Sequence, residues 1–174
     1  MSATTLWDAV VGPWPVALPG DAASPRWGDG AGARLRGATV LVVENEPRLL
    51  DAMTDALAEI CPRVIGCADA GEGLGAFGLL RGPAVLVVNA GLEGLSAQSL
   101  AEAFRDAAPQ GAVVFITESG YGMSVFRMLG ARDALLRRPF GGRELRAAVR
   151  RAAALASGGP PLVRHQREGS EQIQ

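Results

Sequence analysis

The chain has 174 residues, 48% of them apolar, and a formal net charge of −1, which suits one packed domain with tails and excludes wholesale disorder or a global electrostatic grip on nucleic acid. No run of about 18 apolar residues is present to cross a membrane, and the N-terminus lacks the basic-then-apolar pattern of a secretory signal. The lone histidine, His165, sits in a polar tail and leaves Ser-His-Asp or Cys-His catalysis without a base.

Residues 1–36 read as an N-terminal arm. From Gly12 to Gly32 the chain is rich in Gly, Pro, Ala and Asp and has neither helical nor strand periodicity, which predicts loop or disorder. Yet Trp7, Trp14 and Trp27, the only tryptophans, all fall here. Buried indoles contribute heavily to packing and to interfaces, so docking on the domain or on a partner weighs as much as freedom.

The domain is expected over residues 37–157. Its first strand is Thr39-Val40-Leu41-Val42-Val43, β-branched and uniformly apolar, as for a strand covered on both faces. A helix follows from Glu46 to Ile60, with Leu50, Met53, Leu57 and Ile60 on one stripe and Pro47 in the first turn, where a missing N–H costs little. A weaker strand, Arg63–Ala68, precedes a glycine-rich helix reaching Leu80. Cys61 and Cys67 match no metal or redox spacing and are expected reduced and buried in a cytoplasmic protein.

The third strand is Ala84–Val88, and its helix, Ser96–Ala107, turns Leu100, Phe104 and Ala107 inward. Gly111–Thr117 is the fourth strand, followed by a helix over Gly122–Leu129. The fifth strand, Ala134–Arg137, leads to a last helix, Gly142–Leu155, with Leu145, Val149, Ala152 and Leu155 on its stripe. After Gly158-Gly159-Pro160-Pro161 the residues to 174 form a charged, disordered tail. Five strand–helix units in succession predict an α/β fold, a doubly wound parallel sheet with helices on both faces.

In such a sheet ligands bind where strand order reverses, at the carboxyl ends of the strands. Those ends carry Glu44 and Asn45 after strand one, Asn89 after three, Thr117 after four and Arg138, before Pro139, after five. In order and spacing this set resembles the receiver domain of bacterial two-component response regulators, over residues 37 to 156. The resemblance implies a flavodoxin-like (βα)5 fold with strand order 2-1-3-4-5. It also implies a place in phosphorelay signalling, where an acid pair and an acceptor aspartate bind Mg²⁺ and the aspartate takes a phosphoryl group from a histidine kinase.

Carried over by position, Glu44 matches the first acid, Asn45 the second, Asn89 the acceptor, Thr117 the hydroxyl residue and Arg138 the lysine. Three of the five depart from the pattern. An amide at 89 is a very poor nucleophile, so no acyl phosphate is expected and the set reads as a vestigial phosphorylation site without catalysis. With two of three expected carboxylates gone, Glu44, even beside Glu46, is a weak Mg²⁺ ligand at best, and no cofactor is expected. Arg138 has a planar fork able to hold Glu44 bidentately, which predicts an internal Glu44–Arg138 bridge. Leu135 stands where the family usually has Tyr or Phe, and the segment 130–135 is one residue longer than usual.

Two further signals carry less. Gly73-Leu74-Gly75-Ala76-Phe77-Gly78 fits the dinucleotide fingerprint, with Glu93 about twenty residues on, but it follows the second strand and reads better as a loosely wound helix. Arg137, Arg138, Arg143, Arg146, Arg150, Arg151 and Arg164 cluster near the C-terminus. They read as a solvated helix face or, more sharply, as a dock for an acidic partner on the fourth and fifth units. Nucleic acid is disfavoured, since no DNA-binding motif follows and aromatic interleaving is lacking.

The leading expectation is a pseudo-receiver, a phosphorylation-independent adaptor for a kinase, a receiver or an output protein. The alternatives are a competitor for kinase docking and a small-ligand or nucleotide-binding flavodoxin-like protein.

Overall fold

A computed structural model of the chain describes residues 35–92, 94–118 and 129–158. The three tryptophans, Glu93, the helix expected over Gly122–Leu129 apart from its last residue, and the tail with Arg164 and His165 lie outside the described residues.

The three longest apolar runs form the middle of the sheet. β1 (Thr39–Val43) and β4 (Ala112–Thr117) are buried at every residue, as is the third strand, β3 (Ala84–Asn89), up to Asn89. β2 (Val64–Cys67) and β5 (Ala134–Arg137) are half-buried and border it. All neighbours pair in parallel in the order β2-β1-β3-β4-β5, the flavodoxin-like arrangement. Strand order reverses between β1 and β3, which opens the crevice at their carboxyl ends.

Alternation along the strands divides the core between two faces. Val40, Val42, Val85, Val87, Val114 and Ile116 pack on α1 (Pro47–Ala58) and on the last helix, α4 (Gly142–Ala156). Leu41, Val43, Leu86, Val88, Val113 and Phe115 pack on the other side, against α2 (Ala70–Ala76) and α3 (Ala97–Ala107).

Several helix details differ from the sequence expectation. The buried stripe of α1 is Leu49, Ala52, Met53, Ala56 and Leu57. Leu50 lies on its flank against Gly66 of the edge strand, where an added Cβ would sit 3.3 Å from Leu50 Cδ1. Ile60 is buried, but beyond the helix end. α2 stops at Ala76 and gives way to a 3-10 turn, Phe77–Leu79, instead of running to Leu80. Its glycines are the physical reason, each disfavouring helix by about 1 kcal/mol relative to alanine. In α3 Leu100 and Phe104 point inward as expected, with Ala97 and Ala101, while Ala107 is exposed in the final turn. α4 buries Leu145, Val149, Ala152 and Leu155 as its period predicts.

Leu35, expected in the arm, instead donates its N–H to Ile60 O at 2.7 Å and packs against the α1/α4 side of the core. The loop before β5 is held by Asp133, a buried carboxylate. Its Oδ1 accepts from Val113 N at 3.0 Å, and its Oδ2 accepts from Gly130 N at 2.7 Å and from the Arg105 guanidinium. Among the described residues no helix is long and apolar enough to cross a membrane.

Candidate functional site

Because β1, β3 and β4 run parallel in close register, with Val43 opposite Val88 and Asn89 opposite Ile116, their carboxyl ends deliver the next side chains to one place. Glu44 leaves β1 with only 1% of its side chain exposed. Asn89 ends β3 directly opposite, half-buried.

The Asn89 amide joins the pair. Its Nδ2 donates to Glu44 Oε1 at 3.0 Å and to Asn45 Oδ1 at 3.2 Å, while its Oδ1 accepts from Gly91 N at 2.9 Å. The opposite amide orientation would set oxygen against oxygen and N–H against N–H, so the network fixes it. Glu46 N donates to the same Glu44 Oε1 at 3.1 Å. From the far side of the crevice Arg138 Nη2 donates to Glu44 Oε2 at 2.6 Å.

The buried carboxylate therefore meets one guanidinium, one amide and one backbone N–H. Such compensation is what a buried charge requires, since several kcal/mol of hydration are otherwise lost. The expected bridge is present, but as a single N–O contact and not a bidentate fork. Its cause is local: Glu44 Oε1 is already taken by Asn89 and Glu46, which leaves only Oε2 for the arginine. Arg138 Nε is correspondingly buried without a partner.

Thr117 is brought near but not into the network. Its backbone O accepts from Arg138 N at 2.8 Å, whereas its hydroxyl donates to Glu118 O at 3.1 Å. Leu135 is half-buried among the residues of the α2/α3 side of the core. No signal in residue order marks Asp133, whose role depends on Val113, Gly130 and Arg105 meeting in space.

The donor set does not fit a hard divalent cation, which wants oxygen ligands. Position 89 presents N–H, Asn45 Oδ1 accepts from that N–H, and both oxygens of Glu44 are engaged by donors. The nucleotide fingerprint fares no better. A phosphate-binding glycine turn lies between a strand and a helix start. Here α2 has already begun at Ala70, and Gly73 lies buried inside it.

Cys61 and Cys67 are free and buried. Burial first, and then the charges of Glu72 and Asp69, push the Cys67 thiol up to about 11.

No protein-family model matches this chain, and no curated protein matches it. Solved structures do. One is NtrX from Brucella abortus in complex with ADP, 26% identical with a TM-score of 0.60 over 69% of this chain. The match spans 28% of the NtrX chain, so the present chain corresponds to only part of it. A response regulator receiver protein from Sinorhizobium medicae is 16% identical, with a TM-score of 0.60 over 70% of this chain and 98% of its own. An adenylate cyclase from Rhodopirellula baltica is 16% identical, with a TM-score of 0.62 over 69% and 90% of the two chains. The fold is that of receiver domains.

Proposed function

We propose that this domain is a response-regulator-like signalling module acting as a phosphorylation-independent adaptor between proteins of a two-component system. One observation carries the reading. At the end of β3, where a receiver's acceptor would stand, an amide points its Nδ2 at Glu44 and Asn45 and turns no nucleophile outward. A carboxamide nitrogen shares its lone pair with the carbonyl, so attack on phosphorus has no competent atom at this position. Arg138 completes the reading by giving Glu44 a fixed internal counter-charge in place of an exchangeable one.

Such a module works through its surface. Among the described residues Arg137, Arg143 and Arg150 have no carboxylate partner, whereas Arg138 and Arg146 are paired with Glu44 and Glu59. An acidic signalling partner docking on β5 and α4 matches that charge.

The test is incubation of the full chain with acetyl phosphate and Mg²⁺, read by intact mass. No phosphoryl gain is expected. A stoichiometric adduct, stable in acid and lost in base, would falsify the proposal.

A further inference from the structure

We propose that α2 is a latch: it opens as a unit while the rest of the domain stays folded, and its opening bares Cys67 beside the β1 end that carries Glu44. Among the described helices α2 is the one least able to hold itself. Its seven residues include Gly71, Gly73 and Gly75, and Gly78 follows in the 3-10 turn. Each glycine favours the unwound chain, and a short helix has few bonds over which to repay nucleation.

Packing adds little. In α2 only Ala70, Gly73 and Ala76 are buried, none with a side chain larger than methyl. Of the larger apolar groups of the segment, Leu74 and Leu79 face out at 40% and 58% exposed. Phe77 and Leu80, past the helix end, are half-buried, Phe77 with its ring edge-on to Phe104 at 5.8 Å. By contrast α4 buries Leu145, Val149 and Leu155 among seven residues. Local opening selects elements with few buried apolar contacts and exposed backbone bonds.

The closed position is nevertheless specific. A Cβ on Gly73 would lie 3.0 Å from Val43 Cγ2 and 3.6 Å from Leu100 Cδ1, so the helix seats closely against β1 and a methyl group there would press on the buried Val43 side chain. A reciprocal cap fastens its first turn, with Glu72 N donating to Asp69 Oδ1 at 2.8 Å and Ala68 N to Glu72 Oε2 at 2.7 Å. Cys67 lies just ahead of this cap, 4% exposed, and its backbone O accepts from Glu44 N at 3.1 Å. The latch therefore borders the strand end that carries the candidate site. A partner binding the open and closed forms unequally would shift the latch by that difference in affinity.

Cys61 supplies an internal reference. It lies in the opposite core, with Sγ 3.5 Å from Ala38 O and 3.4 Å from Arg63 O, and opening α2 leaves it covered.

The experiment is labelling of the full chain with N-ethylmaleimide, with each thiol followed separately by peptide mass. Cys67 is expected to react about tenfold or more faster than Cys61, with a shallow dependence on urea, as for a sub-global opening. Gly75→Ala adds a methyl group with nothing within 4 Å and should slow Cys67 alone by about fivefold, the factor set by the glycine–alanine helix preference. Gly73→Ala forces the contact with Val43 and should speed Cys67. Equal rates for the two thiols at every urea concentration, or Gly75→Ala acting on both alike or on neither, overturn the proposal.

Discussion

A carboxylate with 1% exposure has lost its water and depends on its protein partners, and for Glu44 the partner carrying charge is Arg138. Removing one member of a fully buried pair costs about 3–5 kcal/mol; Arg138 retains 24% exposure, so water can re-enter and the cost should fall to about 2 kcal/mol. Arg138→Met should therefore lower stability by that amount in urea unfolding. The double variant Arg138→Met with Glu44→Gln should recover at least half, since it removes the stranded charge as well. A single variant within about 0.5 kcal/mol of the parent would mean that the bridge does not hold the crevice. Much of this site was legible in sequence because strand ends are marked by apolar runs, which placed Glu44, Asn89 and Arg138 at one edge. How the atoms connect was not legible. The fork of Arg138 was expected on both oxygens of Glu44, and the competition from Asn89 and the Glu46 N–H is a matter of angles that residue order does not carry.

Elements were legible in proportion to how fully they are buried. β1, β3 and β4 lie between two helical layers, so both faces of each strand are apolar and no partner is needed to see them. The edge β2, which contains Gly66, gives a weaker signal, whereas β5 lies over Ala134–Arg137 as its sequence predicts. The sequence pattern predicts a longer α2 than the structure has, because Phe77 and Leu80 prolong the apolar pattern while the glycines end the helix. Connections between elements carry constraints of their own. At Gly82, with φ +65, an added Cβ would lie 2.0 Å from Gly37 O, so the turn into β3 and the turn into β1 touch backbone to backbone. Gly94, with φ +81, has nothing within 4 Å. Alanine at Gly94 should cost only the left-handed backbone penalty, about 1–2 kcal/mol. Alanine at Gly82 adds a clash with backbone that cannot rotate away, and should cost about 3 kcal/mol or more. Thermal or urea unfolding of the two variants side by side checks this. Equal losses would show that the turns separate freely.

At the scale of the whole molecule, charge composition decides how stability responds to alkali. All 17 Lys and Arg positions are arginines, so no lysine titration weakens the fold as pH rises. That leaves thiols prominent among the groups able to couple folding to pH above neutrality. Burial, followed by Glu72 and Asp69, pushes Cys67 from about 9 to about 11, so the folded chain keeps a proton there that the unfolded chain has released. Between those values the native state binds more protons than the unfolded state, and stability must fall as pH rises. The contribution is fully present below about pH 9 and is lost as pH passes through about 11. Urea midpoints measured across that window should decline for the parent protein. For Cys67→Ala they should start lower, because a packed sulfur is gone, and then stay flatter. The slope is the informative quantity, since it reports protons bound and not packing. If the variant declines as steeply as its parent, the thiol is not the group that couples the fold to alkaline pH, and the layer that α2 lays over β2 shields Cys67 less than its burial implies.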